Sequence, residues 1–314
     1  MKRLTRPAFF AGVGAGLAGT ALPQIGKAQA TKLRMAGVLS DFFAEPFYAK
    51  DAGAFARAGF DVDATSMSNA GAVVAAIGGG SLELGVGDLV SGVNAINAGV
   101  PILLLAGGGL YISTDAGALL VVAKDSPIRQ PRDLNGRTIG VPTLVGLTTA
   151  ALRAWLPQNG IDIATVKIVE VPPSASVPAV LRGIVDAALI GEPFITPNRD
   201  TVRDVGRPYD AIAKEFCLSV WYASRTWIEQ DRERARRVVR AIYDTARWAN
   251  SHHAETFAIL VRDAHFDPDK LHGMIRTTFA TSLTPPAVQP VLNIATQYKI
   301  FDHPIDAESL IAKL

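Results

Sequence analysis

Residues 185–194 read VDAALIGEPF, an apolar run from Ala187 to Ile190 that stops at Gly191-Glu192-Pro193-Phe194. Glycine lets the backbone turn and proline ends the hydrogen-bonded ladder. An acid and an aromatic are left where a buried strand gives way to a loop. Asp41 and Asp88 stand at comparable strand exits, and Asp115 lies close to a third β-rich run. Phe42, Phe43 and Phe194 accompany these acids, with Trp221 and Tyr222 on a later β-rich stretch. Asn69, Ala70, Gly71, Thr143 and Thr148 lie at the starts of predicted helices, where free backbone N–H groups point outward. This set contains Asp41, Asp88, Asp115 and Glu192 but no lysine or arginine. Carboxylates among flat apolar faces suit a ring compound that offers N–H donors. Asn69, Asp88 and Thr148 also read as plain helix caps, and Glu192 as one half of a surface ion pair.

Chemistry of other kinds finds little support. Of the five histidines, His252 and His253 precede Ala254-Glu255, but no HExxH spacing or second cluster accompanies them. Cys217 is the only cysteine, which excludes an intrachain disulfide and a cysteine zinc cluster. Gly107-Gly108-Gly109 reads as a turn after a strand, and no phosphate-binding glycine motif is present. The expectation is a binding protein with no catalytic residue, no metal ligand and no cofactor.

The elements that must position these residues alternate. Strands are predicted at 33–39, 60–66, 82–86 and 101–106, with helices at 44–58, 72–77 and 89–98 between them. Asn69 stands where it can cap the helix from Ala72. The scheme repeats with strands at 137–141, 166–171 and 187–190 and helices at 148–156 and 177–184. Such alternation predicts parallel sheets covered on both faces, with ligands held outside the carboxyl ends of the strands. The β-rich runs 117–122 and 216–223 read as two crossings between lobes. The expected division is lobe one at 31–117, lobe two at 118–215, and a return to lobe one with C-terminal helices at 216–314. From Asp231 to Ala264 the spacing is helical, and its interleaved arginines read as a solvated face.

Composition agrees with two well-cored lobes: 314 residues, 49% hydrophobic and 19% charged. The first thirty residues are different. Lys2, Arg3 and Arg6 precede the uncharged stretch Ala8–Leu22, and Ala28-Gln29-Ala30 has the A-x-A processing pattern. This reads as a secretory signal peptide, residues 1–30, and so as a periplasmic protein. Thr5-Arg6-Pro7-Ala8-Phe9-Phe10 resembles a twin-arginine signal with proline for the second arginine, so the Sec and twin-arginine routes both stay open. The whole chain carries net charge +2; without Lys2, Arg3, Arg6 and Lys27 it carries 27 basic and 29 acidic residues, net −2. Nothing there suggests a nucleic-acid partner.

Several stretches together resemble a known family. Ala44–Val62 is similar to the opening helix and strand of periplasmic solute-binding proteins of ABC importers, in the branch that binds aliphatic sulfonates, nitrate, taurine and thiamin pyrimidines. Leu84-Gly85-Val86-Gly87-Asp88 resembles the family's strand exit, 124–128 and 133–141 the start of its second lobe, and 186–193 its "D…EP" segment. The resemblance implies a two-lobed α/β fold of the type II periplasmic-binding-protein kind. It implies a monomer that closes by a hinge on a small molecule and delivers it to an ABC permease in the inner membrane. Relatives often place an aromatic where this chain has Ile190, and the cysteine-rich signature of related pyrimidine-synthesising enzymes is absent. The carboxylates favour a small, thiamin-pyrimidine-like nitrogen heterocycle. A sulfonate, nitrate or aromatic carboxylate, a sensory input to a membrane receptor, and a pyrimidine-synthase-like enzyme remain as alternatives.

Overall fold

The computed structural model describes residues 30–115 and 117–314. The predicted signal peptide lies outside the described residues except for Ala30. Among those described, no helix is long and apolar enough to cross a membrane.

The strands are β1 (Thr31–Gly37), β2 (Phe60–Ser66), β3 (Leu84–Asp88), β4 (Ile102–Gly107), β5 (Leu110–Ile112) and β6 (Ala118–Ala123), then β7 (Thr138–Val141), β8 (Lys167–Glu170), β9 (Ala187–Gly191), β10 (Val202–Gly206), β11 (Glu215–Cys217) and β12 (Ser219–Ser224). The first helices are α1 (Glu45–Asp51), α2 (Ala54–Arg57), α3 (Ala70–Gly78), α4 (Leu89–Asn97), α5 (Leu147–Gln158) and α6 (Pro173–Leu181). The C-terminal part adds α7 (Arg225–Gln230), α8 (Arg232–Ser251), α9 (His253–Ala264), α10 (Pro285–Gln297) and α11 (Ala307–Leu310).

Two five-stranded sheets result, ordered β2-β1-β3-β12-β4 and β10-β6-β9-β7-β8. Strands buried on both faces occupy the middle of the first sheet, where β3 and β12 are buried along nearly their whole length. The β-α units give the expected parallel pairs β1/β2, β1/β3, β7/β8 and β7/β9. Neither sheet is wholly parallel, however. β12 runs antiparallel between β3 and β4, and β6 runs antiparallel to β9 and β10. The cause is that β6 and β12 enter their sheets straight from the links between lobes, with no crossover helix before them.

This corrects the expected crossings. Residues 118–123 and 219–224 belong to the sheets, and the ribbon between them is the short antiparallel pair β5/β11. Leu110-Tyr111-Ile112 is too short to stand out from its apolar neighbours, so the longer runs beside it carry the stronger strand pattern. The helical stretch from 231 divides into α8 and α9 at His252.

The lobes touch. The largest core, under the first sheet, includes Leu147, Ala150 and Ala151 of α5 beside Val90, Val93, Val288 and Val291 of α4 and α10. Thus α5 follows a strand of the second sheet yet buries part of its surface against helices of the first.

Candidate functional site

The C-terminal ends of the two sheets face each other, and the structure brings eight of the predicted site residues to the space between. Phe42, Phe43, Asn69, Ala70 and Asp88 come from the first lobe, and Thr143, Thr148 and Phe194 from the second. They line an inner chamber of about 70 Å³. Its remaining walls include Val38, Ala118, Leu189, Ile190 and Leu218, with Ser40 and Tyr209 as further polar groups. Val38, Pro173 and Phe194 also line an adjoining outer vestibule of about 650 Å³. Among the described residues, no lysine or arginine lines either space.

Asp88 is the charged group of the chamber. Its backbone ends β3, and its carboxylate caps α4: Oδ1 accepts from Ser91 N at 2.9 Å and Oδ2 from Ser91 Oγ at 2.5 Å. Oδ1 also accepts from Leu147 N of the other lobe, at 2.9 Å. Burial raises its pKa, and the bonds from Ser91, Leu147 and Val90 oppose that shift. Oδ2 accepts from Ser91 Oγ, and a carboxylate oxygen can accept a further donor from a ligand. Asn69 caps α3 through Oδ1, which accepts from Ala72 N at 2.9 Å, so its Nδ2 donors remain for a ligand. The hydroxyls of Thr148 and Tyr209 pair at 3.2 Å.

The other predicted residues stand elsewhere. Asp41 is fully buried away from the chamber. It accepts from Arg276 Nε and Nη2 at 3.2 and 3.0 Å, from Tyr48 Oη at 3.0 Å and from Thr277 N at 2.6 Å. The arginine that neutralises it lies 235 positions later in the chain. Glu192 turns its carboxylate back on its own loop, accepting from Thr196 N at 3.0 Å and Thr196 Oγ1 at 2.6 Å. Burial raises its pKa, and the Thr196 bonds oppose that. Its carbonyl, rather than its carboxylate, crosses the cleft by accepting from Ser40 Oγ at 3.0 Å and Asp41 N at 3.1 Å. The GEPF strand exit is therefore a bolt between the lobes.

Trp221 and Tyr222 are fully buried in the first sheet, because β12 is inserted between β3 and β4. Trp221 Nε1 donates to Glu45 Oε2 at 2.6 Å. Tyr222 Oη donates to the carbonyl of Asp88 at 3.1 Å and so supports the chamber from behind. That approach requires Gly92, where a Cβ would come within 2.0 Å of Tyr222 Oη. Asp115 is exposed beside the ribbon, and Gly71 is not on the chamber wall.

The strand-exit rule missed Tyr209, which sits on a 3-10 turn, Pro208–Ala211. It also missed Phe266, just after α9, which meets Phe194 edge to face at 5.6 Å and lines the vestibule. The C-terminal helices therefore reach the cleft mouth. Only a turn-borne aromatic beside a proline marked Tyr209 in the sequence.

Cys217 is buried, and desolvation pushes its thiol pKa up to about 12. Among the described residues no group of three or more His, Cys, Asp or Glu side chains is placed to hold a metal ion.

A cleft lined from two α/β lobes is the architecture of solute-binding proteins. The chain belongs to the family described as NMT1/THI5 like, whose model matches residues 42–256. Its fold is similar to that of the ligand-binding component of an ABC-type import system from Staphylococcus aureus, solved with zinc bound. The TM-score is 0.78 at 13% identity, over 90% of this chain and 96% of that one. The alkanesulfonate-binding protein SsuA from Xanthomonas axonopodis pv. citri, bound to MOPS, is similar with a TM-score of 0.74 at 14% identity, over 91% and 100%. The desulfurization enzyme DSZB shares the fold with a TM-score of 0.66 at 15% identity, over 90% and 96%. No curated protein matches the sequence.

Proposed function

We propose that the protein is an extracytoplasmic solute-binding protein that captures a small nitrogen heterocycle between its lobes and passes it to an ABC permease. The carrying observation is a chamber walled by both lobes, with aromatic faces, one carboxylate and, among the described residues, no basic side chain. Phe42, Phe43 and Phe194 supply surfaces for a ring. Asp88 Oδ2 offers an acceptor and Asn69 Nδ2 a donor, the pair that the edge of an aminopyrimidine requires. Contacts from both lobes favour the closed arrangement, so binding and closure are coupled without chemistry. Of Asp41, Asp88, Asp115 and Glu192, only Asp88 lines the chamber, and no basic side chain accompanies it among the described residues.

DSZB shows that an enzyme can have this fold. In this chain the single thiol is buried and held protonated, which argues against a cysteine nucleophile. A second reading is anion capture, as in the fold's alkanesulfonate binder. In its favour, the N-terminus of α3 reaches the chamber at Ala70. A thermal-shift screen of aminopyrimidines and cyclic amines against alkanesulfonates, nitrate and aromatic carboxylates separates the two. Heterocycles are expected to raise the melting temperature; a shift with anions alone refutes the proposed ligand class.

A further inference from the structure

We infer that the ligand carries an apolar substituent of several carbons, which lies in the vestibule between α6 and the turn after α9 while a polar head occupies the chamber. This rests on reading the cleft as the ligand site, and it does not depend on the head being a heterocycle.

The two spaces differ in chemistry. The chamber gathers Asp88, Asn69, Thr148 and Tyr209 around about 70 Å³. The vestibule is far larger, about 650 Å³, and among the described residues no charged side chain lines it. Val38, Pro173 and Phe194 belong to both walls, so a molecule seated in the chamber has the vestibule beside it.

One vestibule wall is a helix face. Pro173, Ser174, Val177, Pro178 and Leu181 line it, and their spacing puts them on one side of α6. At about 1.5 Å per residue this face runs about 12 Å, the length of a chain rather than of a single ring. The rest of the lining includes Met67, just past β2, and Phe266, just past α9. Phe266 meets Phe194 edge to face at 5.6 Å, which ties the C-terminal part to the second lobe at the vestibule. Leu181 is 47% exposed, and Met67, Phe194 and Phe266 are half-buried. Hydrocarbon laid along these surfaces removes them from water, which favours binding in proportion to the area covered. Met67 has the flexible side chain that adapts to substituents of different shape.

A chain-length series tests this. The probes are 4-aminopyrimidines with a methyl, propyl or hexyl group at C5, and methane-, propane- and hexanesulfonate, each titrated into the protein by calorimetry. A fully buried methylene is worth roughly fourfold in affinity, and Pro178 and Leu181 leave the groove partly open, so about twofold per methylene is expected and roughly thirtyfold between methyl and hexyl. Leu181→Asn and Phe266→Ala are read by the hexyl-to-methyl ratio, in which a general loss of affinity cancels. Each should cut that ratio several-fold. If Phe266→Ala does not fold, the exposed Leu181→Asn decides alone. Equal affinity along the series overturns the inference, assigns the apolar face to a protein partner and leaves the proposed function standing. A length dependence that neither substitution reduces also overturns it, because the substituent then lies elsewhere. Length dependence among sulfonates without binding of any pyrimidine supports the inference and refutes the proposed ligand class. Binding in neither series overturns both.

Discussion

Glu45 opens α1 and is fully buried, yet only one of its oxygens has a partner: Trp221 Nε1 donates to Oε2, while Oε1 has none. Desolvation raises its pKa from 4.5 to about 8, against the smaller opposing effect of the Trp221 bond. Tyr243 and Cys217 are the titratable neighbours that feel its charge, and both stay neutral, with their own pKa values pushed up to about 12. The folded protein therefore holds a proton on Glu45 that the unfolded chain releases above pH 4.5. Stability from this group is complete below that pH and is lost as pH rises toward 8. At 1.36 kcal/mol per pKa unit, the loss is about 3 kcal/mol by pH 7, and on the order of 4 kcal/mol by pH 8. Glu45→Gln abolishes this dependence. Its Oε1 can still accept from Trp221, while its buried Nε2 lacks an acceptor, at a pH-independent cost of about 1–3 kcal/mol. The diagnostic is thus the difference in slope rather than the stability at one pH. Urea unfolding of both proteins at pH 5, 7 and 8 should show the wild type losing about 2–4 kcal/mol more than Glu45→Gln across the range. Parallel pH profiles would refute the assignment of a neutral, buried Glu45.

Two further substitutions test the placement of the other acids. Arg276→Met leaves Asp41 charged and buried without its cation, which should cost about 3–5 kcal/mol in urea unfolding; an unchanged midpoint would contradict the role given to the pair. Glu192→Gln removes a carboxylate that faces Thr196 rather than the chamber. The affinity of any ligand found in the screen should therefore stay within roughly twofold of wild type by calorimetry, within the tolerance expected of a group outside the contact, whereas a large loss would put Glu192 back in the site.

What the sequence determined is local. The alternation of apolar runs with helical spacing specified the two β-α series, because backbone pairing and capping are satisfied within a few residues. Asn69 and Asp88 are legible for the same reason: each caps the helix that follows it by accepting from the N–H three residues ahead. The strand-exit rule points to Phe42, Phe43, Thr143, Thr148 and Phe194, which line the chamber, since chain direction in a parallel β-α unit decides which end is open.

Tertiary structure decided everything that depends on distant partners. Trp221 and Tyr222 carry the residue types of a binding cleft, but insertion of β12 between β3 and β4 buries both, and no short-range pattern announces which strand will be flanked on both sides. Asp41 looked free because Arg276 approaches it from 235 positions away. Asp88 looked like an ordinary cap until α5 of the other lobe arrived at the same oxygen. Residue type sets what a carboxylate can do, but its charge state and its availability are set by desolvation and by donors that only the folded chain brings near.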